Sequence, residues 1–110
     1  MQTNKIQTYL GFCIRARKIV FGAENVETQK KDVYLLMMDE ALGKSSQKSV
    51  FQAKEKTHAP LLIVKENLLS ELLRRPAVKA VAIQDKNLAA AILDAANGDP
   101  QFKFYSGGNN

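Results

Sequence analysis

Three short segments rich in apolar residues constrain the fold of this chain more than any other feature. They cover residues 33–38, 61–64 and 78–83, and the first two are unbroken apolar runs. Runs of this length are typical of strands that are buried on both faces. Amphipathic, helix-like segments lie between and around them. The sequence therefore predicts an α/β fold in which helices cover both faces of a small mixed sheet.

The length of 110 residues allows a single domain. Residues 18–21 are predicted to form a short edge strand or an extended connector, which gives the sheet three or four strands. Asp85 is placed to cap the last helix. The predicted helices cover residues 4–16, a short stretch after Gly22, residues 46–58, 67–74 and 86–96. We expect residues 1–98 to form one domain. Residues 99–110 are predicted to be a C-terminal tail that is at least partly mobile, above all at its last four positions.

The positive charge of the chain is concentrated near its N-terminus. The formal net charge is +5, yet residues 1–18 contain four basic residues and no acidic one. Three of the four, Arg15, Arg17 and Lys18, are nearly contiguous. Such a patch on a small domain indicates a polyanionic partner. The alternative is that these cations only complement the C-terminal dipole of the first helix.

The sequence has little of what catalysis or cofactor binding requires. It has no glycine-rich phosphate loop, no paired cysteines and one histidine. Cys13 falls on the apolar face of the first helix and is predicted to be a core residue. His58 is predicted to lie at a helix end, and Asp39 with Glu40 to form a solvated turn. We therefore expect no enzyme activity, no cofactor and no metal.

No apolar stretch in the sequence has the length of a membrane span or of a signal peptide. A single cysteine also fits a reducing compartment. The expected location is the cytoplasm, with no membrane partner.

Residues 10–22 read Leu-Gly-Phe-Cys-Ile-Arg-Ala-Arg-Lys-Ile-Val-Phe-Gly. This motif resembles the start of the kink-turn RNA-binding ribosomal protein superfamily, which includes the archaeal-type large-subunit protein seven-Ae and its bacterial YlxQ-type relatives. Further features follow in the family's order: a buried strand ending in acidic residues, a Ser- and Lys-rich helix start, Pro60 before a strand, and a strand ending in Asp85 before an Ala-rich helix. The likeness covers roughly residues 5–97.

The resemblance implies a three-layer α-β-α sandwich with a mixed four-stranded sheet. It also implies that RNA is bound by the loop and helix start after the first strand, with help from a loop near the last strand. The first region then comprises Gly22, Ala23, Glu24, Asn25 and Val26. The second lies around Arg74, Arg75, Pro76 and Ala77. Arg15, Arg17 and Lys18 would supply phosphate contacts.

The residue types in the first region suit that task. A glycine at a helix start lets RNA approach the backbone closely. Glu24 can accept hydrogen bonds from a guanine edge, and Asn25 offers both a donor and an acceptor. The alternative is that Glu24 only complements the helix dipole and Asn25 is an ordinary surface residue.

These observations lead to the hypothesis of an RNA-binding protein that recognises structured, kink-turn-like RNA. Its partner would be ribosomal RNA or the ribosome. It would act as a monomer without DNA specificity. Glu24-Asn25 and Thr28 depart from the family pattern, which commonly has Asn-Glu or Glu-Gln followed by a Lys one turn later. The alternative is therefore a protein-interaction or ribosome-assembly module of the same fold, with weak, non-specific RNA binding. An α/β enzyme is a third hypothesis.

Overall fold

The computed structural model describes the backbone of residues 2–105 and the side chains of residues 4–105. Helices and strands alternate along the chain. Their bounds are α1 Gln2–Arg15, β1 Ile19–Phe21, α2 Ala23–Glu27, β2 Leu35–Asp39, α3 Lys44–Thr57, β3 Leu61–Val64, α4 Leu68–Leu73, β4 Ala80–Ile83, α5 Lys86–Ala96 and β5 Phe102–Phe104. Each of the three apolar segments contains a strand, as the sequence predicts.

The strands form one mixed sheet in the order β1-β4-β2-β3-β5. β2 lies in the centre, parallel to β3 and antiparallel to β4. β1 pairs antiparallel with the outer side of β4 and forms one edge of the sheet. The predicted α/β class and the mixed sheet are confirmed.

The predicted number of four strands is wrong, because the segment after Gly98 adds β5 at the edge opposite β1. β5 pairs antiparallel with β3, and backbone hydrogen bonds from Lys65 N to Gln101 O and from Tyr105 N to Leu61 O flank the pairing. Phe102 is 4 % exposed and packs into the core. The sheet therefore extends past residue 98, into the predicted tail. Residues 107–110, predicted to be mobile, lie outside the described part of the chain.

The two faces of the sheet are covered by different helices. Along β2, Leu35 and Met37 join a core with side chains of α1, α4 and α5. Leu36 and Met38 point the other way and join a core with side chains of α2 and α3. Alternation along a strand explains why neighbouring residues enter opposite cores. Every residue of β2 is buried, which matches the apolar run of its first four residues and includes Asp39 at its end.

Local signals set several element boundaries. The Asp85 side chain accepts a hydrogen bond from Leu88 N at 2.8 Å, which confirms its predicted role as the N-cap of α5. β4 begins at Ala80 rather than at residue 78, because Val78 N donates to Arg75 O in a turn before the strand. Within residues 2–105, no helix is both long and apolar enough to cross a bilayer.

Candidate nucleic-acid interface

Helices α1 and α4 end in the same way, each followed by an arginine with left-handed backbone. Arg17 has φ 59° and Arg74 has φ 57°. The residue after each arginine donates a backbone hydrogen bond back to the helix. Lys18 N donates to Cys13 O at 2.9 Å, and Arg75 N donates to Ser70 O at 3.0 Å. This is the Schellman arrangement, in which glycine usually occupies the left-handed position. Both predicted basic regions are thus exposed helix ends with defined backbone geometry.

Gly22 starts α2 with a backbone that favours glycine, at φ 91° and ψ 140°. Its N–H donates to Ala80 O at 2.8 Å, and its carbonyl accepts from Val26 N at 2.9 Å. The first bond ties the start of α2 to the beginning of β4. A side chain at this φ would be strained, so the glycine is required by the turn itself.

The exposed side of α2 carries Glu24 and Asn25, while Ala23 is half-buried. Asn25 Nδ2 donates to Phe21 O at 2.9 Å. That bond uses one of the two N–H groups of the amide and leaves Oδ1 to accept from a ligand. With the Glu24 carboxylate beside it, this surface offers mainly hydrogen-bond acceptors.

The structure contradicts the predicted RNA contact at Val26. It is fully buried in the core beneath α2 and α3, so its side chain cannot touch RNA. α2 has five residues, and Val26 is the one that anchors it to the sheet.

The second predicted region lies beside the first. The Arg75 guanidinium carbon is 4.3 Å from the centroid of the Phe21 ring, and Phe21 immediately precedes Gly22. β1 and β4 run antiparallel with Phe21 opposite Val81, so the end of β1 and the loop that leads into β4 meet at one end of the strand pair. The structure therefore brings Arg75 next to Phe21, at the start of the segment that carries Gly22, Glu24 and Asn25.

Arg17 and Lys18 stand at the other end of β1. Lys18 O accepts a hydrogen bond from Gln84 N, just after β4 ends. The three residues of β1 separate Lys18 from Gly22, a distance of roughly 13 Å at the usual rise per residue. Arg15 lies back along α1, with its guanidinium carbon 5.0 Å from the Phe12 ring centroid. The predicted cations thus flank α2 and β1 rather than forming one cluster.

Asp39 is a residue whose role the sequence did not reveal. The predicted solvated turn is wrong at this position, because Asp39 is fully buried at the end of β2. Its Oδ1 accepts from Ala41 N at 2.7 Å and its Oδ2 from Asn67 N at 2.8 Å. Asn67 precedes α4, so this carboxylate positions the helix whose far end carries Arg74 and Arg75. An acid directly after an unbroken apolar strand was the available signal.

Cys13 and His58 are the other residues that the sequence analysis considered for catalysis or metal binding. Cys13 is fully buried, and burial, reinforced by the charge of Asp85, raises the pKa of its thiol to about 11. This confirms Cys13 as a core residue. His58 is exposed and follows α3 with left-handed backbone, at the predicted helix end. The described residues contain no group of three or more His, Cys, Asp or Glu side chains suited to a metal.

Comparisons with known proteins bear on the fold alone. No protein-family model matches the chain, and no curated protein matches it. The chain is similar in structure to a protein of unknown function from Bacillus halodurans, with a TM-score of 0.68 and 18 % sequence identity. The match covers 83 % of this chain and 95 % of the other. An α/β fold with a mixed sheet is therefore shared with a solved structure.

Proposed function

We propose that this chain is a small RNA-binding protein that recognises structured RNA containing a sharply kinked helix. The observation that carries the proposal is the meeting of the α2 start with the loop after α4, where Arg75 lies over Phe21 beside Gly22. These are the two regions that RNA contacts in the kink-turn superfamily which the sequence resembles. The two helix-covered faces of the sheet fit the three-layer sandwich of that family, with β5 added at one edge.

The proposed mechanism combines base contacts with phosphate contacts. Glu24 and Asn25 Oδ1 would accept hydrogen bonds from amino and imino groups of unpaired or sheared purines. Arg75 would contact the backbone near this point, and Arg17 and Lys18 would contact it beyond the other end of β1. Arg15 and Arg74 extend the basic surface along α1 and α4. In this proposal the protein acts as a cytoplasmic monomer on ribosomal RNA or the ribosome, without a cofactor or catalysis.

The second candidate is a protein-interaction or ribosome-assembly module with weak, non-specific RNA binding. The observation that favours it is the internal use of polar groups on α2. Asn25 Nδ2 donates to Phe21 O, and the Thr28 hydroxyl donates to Asn25 O at 2.7 Å. Base recognition then depends on Glu24 and an Asn25 amide that is already partly engaged within the protein, and Thr28 supplies no cation.

Titration of the protein against a kink-turn RNA and a straight duplex of equal length, at low and at moderate salt, separates the two candidates. We expect tighter binding to the kink-turn RNA and a preference that persists at moderate salt, because base contacts do not depend on counterion release. Equal, weak binding that salt abolishes would contradict specific recognition and favour the second candidate.

Arg17→Gly is expected to stabilise the fold while weakening RNA binding. Glycine adopts the left-handed backbone of position 17 without a Cβ clash, and we expect the free energy of unfolding to rise by about 0.5–1 kcal/mol. Loss of one phosphate contact should reduce the magnitude of the salt slope of binding by about one. Urea unfolding and affinities at several salt concentrations measure both effects.

Arg17→Ala is the matched control, since it removes the same charge but keeps the Cβ atom. It should weaken RNA binding as much as Arg17→Gly without raising stability. If Arg17→Gly bound RNA as tightly as the unmodified protein, Arg17 would not be an RNA contact.

A further inference from the structure

A groove between α1 and α4 has no part in the proposed base contacts. It has a volume of about 330 Å³, near the lower end of the range for ligand pockets. Its lining includes Gln7, Gly11, Ile14 and Arg15 from α1, Leu72 and Leu73 from α4, and Arg74 directly after α4. The groove therefore combines an aliphatic surface with two arginines.

The two arginines have defined positions at this groove. The Arg15 guanidinium is held over Phe12, and one of its nitrogens comes within 3.8 Å of the place where a Cβ of Gly11 would stand. Arg74 leaves α4 from a left-handed residue whose N–H donates to Glu71 O. The Arg15 side chain, which is held over Phe12, loses less conformational entropy when a ligand binds.

We propose that this groove binds a short acidic segment of a partner protein, which inserts a leucine-like side chain between α1 and α4 and places carboxylates against Arg15 and Arg74. Charge complementarity supports this partner, because the first 18 residues, which include all of α1, contain no acidic residue. An amphipathic segment lying in a groove between helices is a common mode of peptide recognition. The aliphatic lining favours a peptide over RNA, since no aromatic residue is among the described residues that line the groove, and a base would have none to stack on.

Gly11 permits a test that leaves the charges unchanged. A Cβ at this position meets no atom nearer than the end of the Arg15 side chain, and leucine is a better helix former than glycine. Gly11→Leu should therefore fold, as circular dichroism would verify, and fill the groove. Gly11→Ala is the matched control, because it adds one methyl group and leaves the groove open.

The probe is a fluorescein-labelled peptide of sequence Glu-Leu-Leu-Glu-Glu-Leu-Leu-Glu, compared with its counterpart in which Lys replaces Glu. We expect the Glu peptide to bind at least about tenfold more tightly, and Gly11→Leu to weaken it by about tenfold while the preference for kink-turn RNA over the straight duplex stays unchanged. Gly11→Ala should bind the peptide normally. Arg74→Gly, which suits the left-handed backbone at that position, should also weaken the Glu peptide.

Equal affinity for the two peptides would overturn the proposal, and so would a Gly11→Leu variant that binds the Glu peptide normally. Weaker binding of RNA rather than peptide by Gly11→Leu would assign the groove to RNA instead. The failure of the proposed RNA function is a separate result, because it would appear as a lack of kink-turn preference in the unmodified protein.

Discussion

Asp39→Asn is expected to lower the free energy of unfolding by about 2–4 kcal/mol. The Asp39 carboxylate is fully buried, and both of its oxygens accept hydrogen bonds from backbone N–H groups, those of Ala41 and Asn67. An amide of the same shape turns an NH₂ group toward one of these donors. One backbone N–H then loses its acceptor in a place that water does not reach. Urea unfolding followed by circular dichroism measures the change.

Glu40→Gln is the matched control for this prediction. Glu40 is exposed, and its Oε2 accepts a single hydrogen bond from Glu66 N at 3.1 Å. The same change from carboxylate to amide should cost less than about 0.5 kcal/mol there, as is usual for surface positions. A similar, small loss in both variants would show that Asp39 does not hold the start of α4.

Glu24→Ala combined with Asn25→Ala is expected to weaken kink-turn RNA binding by about 100-fold, which corresponds to about 2.7 kcal/mol. Both side chains are exposed, and together they provide the acceptors proposed to read purine edges. Stability should change little, because the main bond lost within the protein is the exposed one from Asn25 Nδ2 to Phe21 O. Affinities for the kink-turn RNA and the straight duplex measure the effect on recognition.

Gln52→Ala combined with Glu55→Ala on α3 provides the control. These residues are also an exposed amide and an exposed carboxylate on a helix, and their removal changes the net charge by the same amount. We expect this variant to bind the kink-turn RNA as well as the unmodified protein. If the α2 variant did so too, the base contacts would have to lie elsewhere.

The sequence predicted the sheet where the pattern of residues was unambiguous. β2 and β3 come from unbroken apolar runs, and Asp85 is an N-cap whose role depends on residues close to it in the chain. β5 was missed because its sequence, Phe-Lys-Phe, alternates over three residues, and a run that short does not indicate a strand. A strand this short forms because the edge of β3 is free to pair with it.

Individual residues of the candidate site could be predicted from the sequence, but the contacts between its distant segments could not. Gly22, Glu24 and Asn25 were identified from a motif, but Val26 was assigned to the surface because a five-residue helix is too short to reveal its buried side. The burial of Asp39 depends on two loops that are distant in sequence. The contact of Arg75 with Phe21 likewise requires β1 and β4 to be neighbours, which no local pattern specifies.

The central claim is that RNA binds at the start of α2 and the loop after α4. Amide chemical-shift mapping of the ¹⁵N-labelled protein during titration with kink-turn RNA tests it most directly. We expect the largest changes at Gly22, Glu24, Asn25 and Arg75, and none at β5, which forms the opposite edge of the sheet. Changes confined to β5 or α3, or no changes at Gly22 and Arg75 on saturation with RNA, would contradict the claim.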